Sequence, residues 1–157
     1  MEHLLPLPGR AASDALAERI SAHFRDHGFG FWAVEVAGVA PFIGFAGLAH
    51  VRFEAHFTPA VEIGWRIAPE YWGQGYATEA ARLALEDGFG RLGLKEIVAF
   101  TVPANRRSWR VMERLGMGRV ERDDFDHPRV PDGHVLKRHV LYRLRREVWS
   151  ARLDRMP

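Results

Sequence analysis

A chain of 157 residues with 47% hydrophobic and 27% charged side chains has the make-up of one ordinary globular domain, long enough to bury about two-thirds of its unfolded surface without a disulfide or metal. It contains no cysteine, which excludes a disulfide framework, thiolate metal ligation and any route through a cysteinyl thioester. The net charge of +2 is too small to mark a nucleic-acid binder, but it is uneven: residues 1–100 sum to −4 and residues 101–157 to +6, so the second part is the one suited to meet an anion.

The chain opens Met1-Glu2-His3 with a short Leu/Pro stretch before Arg10, without the basic start and apolar core of a secretory signal. The longest uncharged run, between Glu35 and Arg52, contains Pro41 and three glycines and falls short of the roughly 20 residues that span a bilayer. A cytoplasmic protein with no membrane or nucleic-acid partner is the expectation. Leu16, Ile20 and Phe24 then share one helical face over residues 13–27, with Ser13 as candidate N-cap and Gly28 past the end. Two aromatic and β-branched runs, FGFWAVEVAG and PFIGFAGLAHV, read as antiparallel strands, and VEIGWRIA as a third after the loop RFEAHFTP.

Next, YWGQGYATEAARLALEDGFGRLG changes period: glycines punctuate its start, and Ala77, Ala80, Ala81, Ala84 and Leu85 suit a helix packed closely on a sheet. EIVAFTV reads as a buried strand broken by Pro103, Asn105 as the cap of a helix reaching Leu115, and Gly116 as its terminator. Strands near MGRVER and VLKRHVLYRL complete an α-β-β-β-α-β-α-β-β order, an α+β domain with a mixed sheet, leaving residues 146–157 as a C-terminal tail.

The loop Trp72-Gly73-Gln74-Gly75-Tyr76-Ala77 leaves a strand and opens a helix, so free N–H groups and the helix dipole would make a phosphate site there. It lacks the lysine and spacing of a P-loop, and the antiparallel strands before it argue against a dinucleotide fold. A tight strand-to-helix turn with no ligand is an equally good reading of the loop alone.

EIGWRIAPEYWGQGYATEAARLAL followed by EIVAFTVPANRRSWRVMERLGM resembles the GNAT superfamily of acyl-CoA-dependent N-acyltransferases, and in particular its RimJ/RimL-like branch. The resemblance is close over residues 60–117 and weaker from about 29 to 145. It implies a mixed, mostly antiparallel sheet flanked by helices, with acetyl-CoA as cosubstrate and no metal. It also implies that main-chain N–H groups of Gln74, Gly75, Tyr76, Ala77 and Thr78 hold the pyrophosphate and that Asn105 bonds the pantetheine arm. The main chain near Ile67 and Ala68 would bind pantetheine and polarise the thioester carbonyl where two strands part. Three departures stand out: Trp72 occupies the first position of the usual Gln/Arg-x-x-Gly-x-Gly/Ala motif, Met112 replaces the family's acid tyrosine, and the chain starts after the family's usual first strand and helix.

Acyl transfer to an amine needs an ammonium deprotonated and a thiolate protonated. Strand parity separates Val61, Ile63, Trp65 and Ile67 from Glu62, Gly64 and Arg66, and Arg66 lies about 13 Å from Glu62 along the strand, too far to neutralise it. Glu62 matches the family's strand glutamate and is the candidate base, acting directly or through water; a carboxylate paired by another strand or facing solvent is the alternative. Ser108 shares the inward helix face with Val111, Met112 and Leu115, and the branch's corresponding serine makes it the candidate acid, against a hydrogen bond back to the preceding turn. Arg106, Arg107 and Arg110 read first as a solvated face and second as contacts for the CoA 3′-phosphate. Asp123, Asp124, Asp126, His127 and His134 form a polar loop in which nothing fixes metal geometry; its carboxylates could attract a cationic amine, and a solvated loop is the simpler reading. The loop RFEAHFTP is another possible substrate wall, with Phe53 and Phe57 reading first as core.

Without the family's first strand, FWAVEV has an unpaired edge, to be covered by upstream residues, by a second copy in a homodimer, or by the segment containing Trp149. The leading function is an N-acetyltransferase moving acetyl from acetyl-CoA to a primary amine, on a protein N-terminus or a small molecule, by direct attack in a ternary complex. A non-catalytic acyl-CoA-binding module and a nucleotide-binding protein remain open beside it.

Overall fold

The structure, a computed structural model, describes residues 9–155. Helix α1 (Arg10–His27) ends where Gly28 turns left-handed and returns its N–H to Phe24 O at 2.9 Å. Ser13, expected as its N-cap, lies inside it: Arg10, Ala11 and Ala12 are good helix formers, so the helix starts earlier, after Gly9. Strands β1 (Phe31–Val36) and β2 (Ala40–His50) form a hairpin, and β3 (Val61–Ile67) pairs antiparallel with β2. After a 3₁₀ turn at Pro69–Tyr71 come α2 (Tyr76–Phe89), β4 (Glu96–Thr101), α3 (Arg106–Arg114) and β5 (Gly118–Arg119). A second 3₁₀ turn (Glu121–Asp123), β6 (Phe125–Asp126), β7 (Arg138–Arg145) and α4 (Arg146–Leu153) complete the chain. The sheet order is β1-β2-β3-β4-β7-β5 with β6 beside β7, and every pairing is antiparallel except β3 with β4.

Three segments differ from expectation. Only Gly118 and Arg119 of MGRVER pair as strand, and the polar loop after it contributes β6. The expected tail is helix α4, because Trp149 has a large apolar surface to hide and finds Phe89, ring centroids 6.0 Å apart. Trp149 is thus committed to the core beside α2 and does not cover β1, which among the described residues pairs with β2 alone. No helix among the described residues is long and apolar enough to cross a membrane.

Strand parity gives the sheet two unlike faces. Leu48, Ile63, Ile97 and Ala99 pack on α2 through Ala81, Ala84 and Leu85, whose small side chains let helix and sheet approach closely. On the opposite face Val98 and Leu141 join Phe57, Phe125, Phe53 and Phe100 in a second, aromatic cluster. Glu62 sits on that second face, across from Val98. The pair Glu62–Val98 is the one registered contact between the parallel strands β3 and β4, and beyond it they separate.

Candidate active site

The wedge between β3 and β4 is lined by main chain. Ala68 N–H donates to Ile43 O at 2.8 Å, and antiparallel alternation therefore turns the polar groups of Glu62, Gly64 and Arg66 toward β2 and those of Trp65 and Ile67 toward β4. Past Glu62–Val98 no strand receives them, so the N–H groups of Trp65 and Ile67 face the opening. Ala68 lies just past this row: its N–H is held by Ile43, and its carbonyl accepts from Tyr71 N–H at 3.0 Å with one lone pair to spare. The carbonyl of Ile67 accepts the Trp72 indole N–H at 2.7 Å.

That bond explains the tryptophan at the head of the glycine loop, which ties the loop to the end of β3. The Arg107 guanidinium lies 4.3 Å over the same indole and joins the loop to the start of α3. Gly73 (φ 77°) and Gly75 (φ 85°) adopt a left-handed conformation that favours glycine, and a Cβ at either would meet nothing within 4 Å. The first internal bond of α2 runs from Glu79 N–H to Gly75 O at 3.0 Å, leaving the N–H groups of Tyr76, Ala77 and Thr78 without helical partners at the positive end of the dipole. Open space, free donors and positive potential together fit a phosphate-bearing ligand.

Across the wedge, Asn105 caps α3 by accepting the Ser108 N–H at 3.3 Å, while its Nδ2 donates to Thr101 Oγ1 and to Ser108 Oγ, both at 3.0 Å. The bond expected as the alternative for Ser108, back to the preceding turn, is replaced by one to Asn105. Since its oxygen accepts from Asn105, the Ser108 hydroxyl hydrogen stays available to donate. Met112, where an acid tyrosine would stand, is buried in the core.

Glu62 opens onto the other face of the sheet, in a cavity of about 210 Å³ walled by Phe31, Phe53 and Phe100. No hydrogen bond or ion pair holds its carboxylate among the described residues. Burial pushes its pKa up from 4.5 to about 7, with Arg129 pulling weakly the other way. A carboxylate poised near neutrality can take a proton from an ammonium and give it up again.

A wedge ending in free N–H groups, with a phosphate-type cradle on one side and a poised carboxylate on the other, coincides with the sequence matches. The acetyltransferase (GNAT) domain matches residues 1–118. The chain belongs to the GNAT acetyltransferase family. It is 36% identical over 104 residues to the uncharacterized N-acetyltransferase YnaD of Bacillus subtilis, covering 66% of this chain and 59% of that protein. It is 36% identical over 128 residues to the FsC-acetyl coenzyme A-N(2)-transacetylase of Aspergillus fumigatus, covering 78% and 52%. The chain thus spans little more than half the length of these relatives. Among solved structures, a GNAT-family acetyltransferase from Bacillus anthracis superposes with a TM-score of 0.65 at 29% identity, over 87% of this chain and 74% of that one.

Other residues of this GNAT domain are occupied elsewhere. The polar-loop carboxylates are paired, Asp123 with Arg143 at 2.9 Å, Asp124 with Arg119 and, at the surface, Asp126 with Arg138 at 3.3 Å. His134 accepts from Leu136 N–H at 3.1 Å. Arg106 lies over Trp109, 4.0 Å from the ring centroid. His23, His27 and His50 bring their ring nitrogens within 4.8 Å of one another. His23 has no lone pair to spare, however: its Nε2 accepts from His50 N–H at 3.1 Å, and its Nδ1 then donates to Phe29 O at 2.6 Å.

Arg52 and Phe53 of RFEAHFTP and His127 of the polar loop line the Glu62 cavity, whereas Thr101 and Arg129 reach the site without having been singled out for it. A hydroxyl ending the apolar run EIVAF, four residues before Asn105, was the available signal for Thr101. For Arg129 the sequence holds none, since it meets Glu62 only through the fold.

Proposed function

We propose that this domain transfers an acetyl group from acetyl-CoA to a primary amine by direct attack while both are bound, in the manner of the RimJ/RimL-like branch it resembles. The observation that carries this reading is the wedge itself, with free N–H groups at its edge, the glycine cradle on the α2 side and Glu62 on the other. The N–H groups of Gly75, Tyr76, Ala77 and Thr78, with Gln74 in the same loop, suit the pyrophosphate. Asn105, through the second lone pair of Oδ1, suits an amide of the pantetheine arm. Acetyl-CoA supplies an activated acyl thioester when bound. Of the two free N–H groups, that of Trp65 is the nearer to Glu62, about 10 Å along the strand, and lies where it can donate to a carbonyl oxygen, with the Ile67 N–H beyond it on the pantetheine side. Glu62 takes the ammonium proton through water; as the C–N bond forms and the C–S bond breaks, the nitrogen sheds its second proton to solvent, and Ser108 donates its hydroxyl proton to the departing sulfur and regains one from solvent. With no cysteine in the chain, no acyl group passes through a protein thiol.

Burial of Met112 favours a second reading, an acyl-CoA-binding module without turnover. Thermal melts with acetyl-CoA, CoA, ATP and NAD, followed by CoA-release assays on an amine panel, separate the two. Stabilisation by acetyl-CoA and CoA alone, by about 2.7 kcal/mol at 100 times the dissociation constant, with CoA released on adding amine, is the expected result. Stabilisation without release on any amine leaves the binding module, and stabilisation by ATP or NAD instead overturns both.

A further inference from the structure

The cavity beside Glu62 has a charge that its shape alone does not require. Its walls are apolar, but its lining includes Arg19, Arg52 and Arg129, and Glu62 is its one carboxylate. None of the ion pairs among the described residues involves these three arginines, although nine other basic side chains are paired. The Arg129 side chain donates to the Arg52 carbonyl, which holds the two residues together at the rim. The lining histidines do not change the balance. Burial lowers the pKa of His127 to about 4 and that of His50 below its ordinary value, while both ring nitrogens of His23 are engaged in hydrogen bonds.

We infer that this pocket takes an amine that also carries an anionic group, a carboxylate or a phosphate, and disfavours polyamines. The amine would sit at Glu62 with its short apolar spacer against Phe31, Phe53 and Phe100, and its anion at the guanidiniums of Arg52 and Arg129, which present paired N–H donors to either oxyanion. A cavity of about 210 Å³ has room for a small amino acid or aminoalkyl phosphate. A polyamine would bring two or more ammonium groups to a rim already bearing three positive charges, and only one of them could be neutralised by Glu62.

This inference rests on the acetyl-transfer reading for its chemistry but not for its test. Matched amines separate charge from size: pentylamine, cadaverine and aminopentanoate in one series, ethanolamine and phosphoethanolamine in another. Each is assayed for CoA release with acetyl-CoA saturating, and each is also titrated calorimetrically into the CoA-saturated protein. Aminopentanoate should exceed cadaverine by about tenfold or more in kcat/KM and in affinity, with pentylamine between. Phosphoethanolamine against ethanolamine tells whether phosphate serves as well as carboxylate. The preference should shrink with added salt and in both Arg52→Met and Arg129→Met. Arg52→Met removes no side-chain hydrogen bond seen in the structure, so it reads the charge even if Arg129→Met loosens the loop. Equal or stronger use of cadaverine, or a preference unchanged in Arg52→Met, overturns the inference. Charge-selective binding without CoA release would instead remove the acetyl-transfer reading and leave the pocket's selectivity standing.

Discussion

The two faces of β3 are built by different means. On the α2 side each functional group is placed by near neighbours in the chain: Gly75 opens the helix whose first N–H groups it exposes, Trp72 reaches back to Ile67, and Asn105 caps the helix that carries Ser108. On the Glu62 side the pocket draws on α1, β1, the residues after β2, β4 and the loop after β6. A cofactor common to a whole family can be held by a local device, whereas an acceptor site is assembled from distant loops that can change without disturbing it.

If the faces are separable, damage to one should spare the other. The largest expected effect is on the acceptor face. Glu62 titrates at about 7 folded against 4.5 unfolded, so between those values the folded chain binds the extra proton and stability falls as pH rises, by up to about 1.4 kcal/mol per pH unit, flat below and above. Glu62→Gln should remove that slope and raise stability at pH 8 by up to about 3 kcal/mol, with no gain at pH 4, as read by denaturant melts at the two pH values. Next, Ser108→Ala should lower kcat about tenfold to a hundredfold while the acetyl-CoA dissociation constant holds; a weakened affinity with normal kcat would assign Ser108 to binding. Gly75→Ala forces a Cβ into φ 85°, should cost about 1 kcal/mol of stability, and should raise the dissociation constant for acetyl-CoA without altering the pH dependence that Glu62 imposes. Asn105→Ala removes the α3 cap and should cost about 1 kcal/mol in a thermal melt, with a smaller loss of rate from a less well-held Ser108.

The same division decides what could be read from the sequence. The hairpin, the strand–glycine loop–helix unit and the capped α3 were legible because their signals are local: period, glycine and cap. Glu62 was legible as a carboxylate breaking an apolar strand, but its lack of a directly paired cation was visible only as distance from Arg66. Whether Arg129 or the paired Asp123, Asp124 and Asp126 would face it depended on contacts across dozens of residues, which periodicity cannot supply. Helix α4 was missed for a related reason, since its weak apolar stripe acquires meaning only when Trp149 meets Phe89.

The central claim is that Glu62 serves the amine and not the cofactor. Its most direct test is the pH dependence of kcat/KM for wild type and Glu62→Gln, measured with acetyl-CoA affinity on the same samples. The account predicts that the wild-type rate rises through a pKa near 7, that Glu62→Gln loses about a hundredfold or more together with that limb, and that acetyl-CoA binds both proteins alike. A wild-type profile that Glu62→Gln leaves intact, or an equal loss of acetyl-CoA affinity, would contradict it.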